Sequence, residues 1–127
     1  MNAAALTILL LDRERPTAQQ TLSGWLGAEN ATRATMRCPE RYILIATFDT
    51  GGDPRYVHLT EFLTDLETLI ARLMMHIEAA ELSPVMPQPC AIDMRFSLDP
   101  AERDRINAIL DGREASQLLH ARARGHA

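Results

Sequence analysis

A chain of 127 residues that is 46% hydrophobic and 24% charged is long enough to bury a core, and ordinary enough to be one soluble domain, 1–127. It carries a net charge of −4, with seven acids against Arg55 and Arg72 in residues 49–81, which argues against nucleic-acid binding through the centre of the chain. The charges at Glu61, Asp65, Glu67, Arg72, Glu78 and Glu81 interrupt the longest apolar pattern, so no membrane span is expected.

In chain order, residues 5–11, ALTILLL, read as a buried strand that ends in the charged DRER and Pro16. Residues 17–26 read as a short helix with Leu22, Trp25 and Leu26 on one side and Gly27 as its stop. Residues 28–39 are polar and uneven, and read as a loop. Residues 41–48, RYILIATF, are aromatic and β-branched enough for a strand. DTGGDP is a turn cluster, and 55–59, RYVHL, would return as the second strand of a hairpin.

Residues 59–82 read as one long amphipathic helix. Thr60 is its expected N-cap, and Phe62, Leu63, Leu66, Leu69, Ile70, Leu73, Met74 and Ile77 recur at spacings of three and four. Pro84 stops it, and 83–89, SPVMPQP, form a proline-rich connector. Residues 90–98 alternate Ile92, Met94, Phe96 and Leu98 with polar residues, as a half-exposed strand does. Asp99, Pro100 and Glu102 make a strong helix start. Ala101, Ile106, Ile109 and Leu110 form its narrow apolar face, and Gly112 is its expected end. A last turn or two over 114–123, with Leu118 and Leu119 inward, leads into a frayed basic tail at 121–127.

The order β-α-β-β-α-β-α gives an α+β domain: a three- or four-stranded sheet packed on one face by the long central helix and one or two shorter helices. The order is similar to that of ferredoxin-like folds, which host too many functions to imply one.

Cys38 and Cys90 form no CxxC or Cys/His ladder, so no structural metal is expected. The run LTILLL is followed by DRER and has no basic leader before it, so the cytoplasm is the expected compartment and the thiols are expected to be reduced. No Lys is present to reach a phosphate, so Gly51-Gly52 reads as turn chemistry and no cofactor is expected.

The sharpest motif is Asp49-Thr50-Gly51 after ILIATF. It resembles the active-site loop of retropepsin-type aspartic proteases. That resemblance implies a homodimer in which two such carboxylates share a proton to activate water. It covers about six residues. The second apolar-apolar-Gly element of those proteases has its nearest match in 109–112, ILDG, which reads as a helix end. Asp, Gly and Pro are also ordinary hairpin residues. His58 lies near Asp49 and Asp53 in sequence, so these three are the catalytic candidates for a hydrolytic enzyme and the only set that could suggest a metal.

No complete catalytic constellation emerges, so binding ranks above catalysis. The leading expectation is a small non-catalytic protein-binding module: an inhibitor, an immunity or antitoxin-like protein, or an accessory protein of a bacterial mobile element. It would occlude a basic partner protein through an acidic helix face formed by Glu61, Asp65, Glu67, Glu78 and Glu81, while apolar anchors hold the contact. A homodimer is a further partner class. The alternatives are a hydrolase built on Asp49 with Asp53 or His58, and a nucleic-acid-associated regulator using Arg113, Arg122 and Arg124 with His120 and His126.

Overall fold

A computed structural model describes residues 5–83 and 91–125, with side chains described up to residue 113. The 84–89 connector, Cys90 and the inward placement of Leu118 and Leu119 therefore lie outside what is described, as do the side chains of the C-terminal Arg and His residues.

Four strands form one mixed sheet: β1 (Leu6–Asp12), β2 (Tyr42–Asp49), β3 (Tyr56–Leu63) and β4 (Ile92–Ser97), in the order β3-β2-β1-β4. The first three run antiparallel, β1 to β2 and β2 to β3, while β4 lies parallel to β1, Leu6 opposite Ile92. Helices α1 (Ala18–Leu26) and α2 (Ala28–Arg37) lie between β1 and β2. Helix α3 (Leu66–Leu82) crosses from β3 to β4, and α4 (Pro100–Gly125) closes the order.

The sheet is α+β as expected, with the long helix over one face. Strand β1 is central and covered on both sides, which is why it reads as a continuous apolar run rather than an alternation. Leu6, Ile8 and Leu10 join Tyr42, Leu44 and Ala46 in a core sealed by Leu69, Leu73, Ile77 and Ala80 of α3 and Ile106 of α4. Leu9, Leu11, Ile43 and Ile45 point the other way, onto Ala18, Leu22 and Ala31. This second, smaller layer comes from α1 and α2.

Three boundaries differ from the sequence reading. Thr60–Leu63 do not open the long helix; they extend β3, which pairs with β2 along its whole length, Tyr42 with Leu63 through Asp49 with Tyr56. The helix starts after Asp65, whose carboxylate accepts from the Thr68 N–H at 2.7 Å and is a stronger cap than Thr60 could be. Residues 28–37 are a helix, not a loop. Ala28, Glu29, Ala31, Arg33 and Ala34 are good helix formers, and Arg13 donates to the carbonyls of Thr35 (3.0 Å), Cys38 and Glu40 (2.8 Å) at the helix's far end. Helix α4 does not stop at Gly112 but continues to Gly125, which takes in the 114–123 turn and most of the basic tail. On α4, Ala101 and Ile109 are exposed, and the inward face is Ile106 with Leu110.

Candidate functional site

The Asp49 hairpin is built as a turn. Asp49 ends β2, and its Oδ1 accepts from the Gly51 N–H at 3.0 Å, while Gly51 takes φ 70°, which an L side chain rarely adopts. Arg55 donates to both carboxylate oxygens from across the hairpin, at 3.0–3.2 Å. Thr50 Oγ1 donates to the Pro54 carbonyl at 2.8 Å and accepts from Gly52 N–H at 3.0 Å. The Arg55 guanidinium, with help from the Gly51 amide, holds the Asp49 carboxyl below its usual range, so it is a fixed anion at neutral pH. His58 shares a sheet face with Asp49, but its Nδ1 hydrogen-bonds Thr47 Oγ1 at 2.9 Å. Asp53 is exposed at the hairpin tip. The three catalytic candidates thus sit on one hairpin, with Asp49 and His58 engaged by different neighbours. Residues 109–112, the nearest match to a second protease element, lie inside α4. No group of three His, Cys, Asp or Glu side chains able to hold a metal occurs among the described residues.

The five acids assigned to one helix face occupy three kinds of position. Glu61 is on β3, not the helix, and its partly buried carboxylate accepts from Arg72 Nε at 2.7 Å and hydrogen-bonds His76 Nε2. Burial pushes the Glu61 carboxyl up, but the hydrogen bonds from His76 and Arg72 outweigh it and the net shift is downward. Asp65 is the N-cap of α3. Glu67 pairs with Arg105 and Glu81 with Arg113 at 2.5 Å, so both tie α3 to α4. Glu78 is exposed.

One charged cluster has no counterpart in the sequence reading. At the carboxyl ends of the parallel strands β1 and β4, Asp12 is the only buried charged residue among the described ones. Its carboxylate accepts from Arg41 Nε and Nη2, both at 3.0 Å, and from the Glu14 N–H at 2.9 Å. The buried Tyr42 donates its hydroxyl to Glu102 in the first turn of α4. Asp12, Glu14, Arg15, Pro16, Arg41, Asp99 and Glu102 enclose a groove of about 410 Å³ that carries both signs of charge. These residues come from three separate stretches of the chain, 12–16, 41 and 99–102, and only the meeting of β1, β2 and α4 unites them. The one local signal was an acid closing an apolar run at Asp12.

Comparison with protein-family models, with curated proteins and with solved structures gives no match. The surface itself must therefore carry the functional argument. Among the described residues, no helix is long and apolar enough to cross a membrane. The solvent side of α3 presents Glu67, Ala71, Met75, Glu78, Ala79 and Leu82, all exposed and all on one side of a helix of period 3.6. Met75 and Leu82 are among the large hydrophobic side chains left in solvent.

Proposed function

We propose that this chain is a small, non-catalytic protein-binding module of the cytoplasm that occludes a partner with a basic surface. The inhibitor, immunity, antitoxin-like or mobile-element accessory class fits this reading. The observation that carries it is the outer side of α3, where the exposed apolar side chains of Met75 and Leu82 alternate along the helix with Glu67 and Glu78. Apolar anchors framed by charge are the composition that recognition surfaces favour. The membership of the acidic face changes accordingly. Glu78 stands between the two anchors, Glu67 stands N-terminal to both and also pairs with Arg105, Glu81 borders α4, and Glu61 and Asp65 act within the fold.

The mechanism is steric. Carboxylates at the rim speed encounter with a basic surface, and the anchors slow its departure. The test is capture of a partner from the native host by the tagged chain, followed by association rates at two salt concentrations. Glu78→Arg with Glu67→Arg slows association and flattens its salt dependence, because rim charges act mainly on the on-rate. Met75→Asp raises the dissociation rate. Asp49→Asn, in a turn remote from this face in sequence and position on the sheet, leaves both unchanged. A partner whose rates ignore all three α3 substitutions overturns the proposal.

A further inference from the structure

Strand β3 is an outer strand of the sheet, and among the described residues no strand pairs with its outer edge. Thr50 N–H donates to the Arg55 carbonyl at 2.7 Å. Antiparallel ladders alternate the direction of their backbone groups, so the odd-numbered residues of β3 bond to β2. The N–H and C=O groups of Tyr56, His58, Thr60 and Phe62 consequently point away from β2, toward the open edge. Natural sheets blunt such edges with charge, proline, bulges or short strands. The opposite edge follows that rule: β4 is six residues long and carries Asp93 and Arg95, paired at 2.9 Å. Strand β3 is eight residues long and has no proline, and Glu61, its one formally charged side chain, is turned to Arg72 and His76 of α3. It leaves Tyr56 52%, Val57 44% and Leu59 40% exposed.

We infer that this edge is a self-association surface, on which a second copy of the chain adds its own β3 antiparallel to form one continuous eight-stranded sheet. The occupant follows from the strand's own pattern. A two-fold axis perpendicular to the sheet at Leu59 places Leu59 against its symmetry mate and Tyr56 opposite the second copy's Phe62. Val57 falls directly opposite the second copy's Glu61 and diagonal to the mate of Leu59. Tyr56 and Leu59 then meet apolar residues directly opposite, and Val57 meets one on the diagonal. The four residues with outward backbone groups pair among themselves, Tyr56 with Phe62 and His58 with Thr60. The charges do not oppose the pairing. Arg55, which stays on Asp49 of its own hairpin, comes diagonal to Glu61 of the other copy, and no like-charged pair stands directly opposite within β3. An isologous contact of this kind closes at two copies.

Sedimentation equilibrium up to high micromolar concentration tests this with three forms of the chain. The unmodified chain gives a weight-average mass that climbs from 14.2 kDa toward twice that value. Leu59→Lys sets two ammonium groups against each other on the axis. It raises the dissociation constant about tenfold or more, with the melting temperature little changed. His58→Pro removes one outward N–H, no backbone bond to β2 and only the exposed side-chain contact with Thr47, so it disrupts the edge while sparing the backbone ladder of the hairpin. If His58→Pro fails to fold, a fourth form decides: Leu59→Cys, with Cys38→Ser and Cys90→Ser, is expected to cross-link to a covalent dimer under mild oxidation. A chain that stays monomeric, a dimer that survives Leu59→Lys, or a Leu59→Cys form that does not cross-link overturns the inference. None of these substitutions touches the outer side of α3.

Discussion

Arg41→Met keeps most of the side-chain stem and removes the guanidinium, so Asp12 remains buried and loses its counter-ion. Asp12 is 2% exposed, and Arg41 supplies two of its hydrogen bonds, each at 3.0 Å. A hydrogen bond to a charged group is worth about 1.5–3 kcal/mol, and removing one member of a buried pair costs roughly 3–5 kcal/mol. Two features lower the figure. Arg41 is itself 42% exposed, so water enters where it stood, and the Glu14 N–H continues to donate. The expected loss is about 2–4 kcal/mol at neutral pH, a large part of the ~5–15 kcal/mol that holds a typical domain together. The pH dependence is diagnostic. Burial by itself raises the Asp12 pKa, but the Arg41 hydrogen bonds, the Glu14 amide and the charges of Arg41 and Arg15 outweigh it and lower the net value. The native chain therefore binds this proton less readily than the unfolded chain. The stabilisation is complete above the unfolded value of about 3.9 and is lost as pH falls through the folded one. In the variant burial acts without Arg41, so the penalty is greatest near neutrality and shrinks on acidification. The stacking of Arg41 on the Tyr42 ring, 5.2 Å to the centroid, is lost at every pH, so a residual deficit persists. Urea unfolding of both proteins between pH 7 and about pH 4 measures this. A deficit below about 1 kcal/mol, or one that does not vary with pH, refutes the assignment of Asp12 as a buried anion dependent on Arg41.

Two other substitutions probe the two layers of the core separately. Leu69→Ala opens a cavity where α3 meets β1 and β2, and lowers stability by about 2–5 kcal/mol in the same urea assay, the folded baseline being retained. Arg13→Ala strips the donors from the carbonyls of Thr35, Cys38 and Glu40, so hydrogen exchange should accelerate across Ala28–Arg37 while the amides of β1 and β2 stay protected.

The elements that the sequence disclosed are those whose side-chain pattern is dictated by burial. Leu6 to Leu11 announced a strand covered on both faces, and Leu69, Leu73 and Ile77 announced the core side of α3. The misplaced boundary at Thr60 has a clear cause. Phe62 and Leu63 fit a helical stripe as well as a strand, and two cap residues, Thr60 and Asp65, stood five positions apart. The eight-residue register with β2 decided between them, and a long-range pairing leaves no local mark. Helix α2 escaped for the opposite reason. It buries only Ala31, so it has no stripe to detect, and its helix-forming composition was the available signal. The hairpin around Asp49 was legible as a turn, but the Arg55 clamp was not. The Asp12–Arg41 pair joins two strands across an intervening helical insert, and no spacing rule anticipates it.

The position of β1 has a consequence for the order in which the chain can assemble. Leu6 is flanked by Phe48 on one side and Ile92 on the other, so the most apolar strand receives its second neighbour only after α3 has been made. During synthesis β1, β2 and β3 can meet as soon as the hairpin has left the ribosome, yet one side of β1 then stays uncovered until β4 arrives. Contacts this distant in sequence close slowly and leave sticky intermediates. The step that completes the parallel pair should thus govern how much of the newly made protein escapes aggregation, and a cell would need to shield the first strand while the last is still being translated.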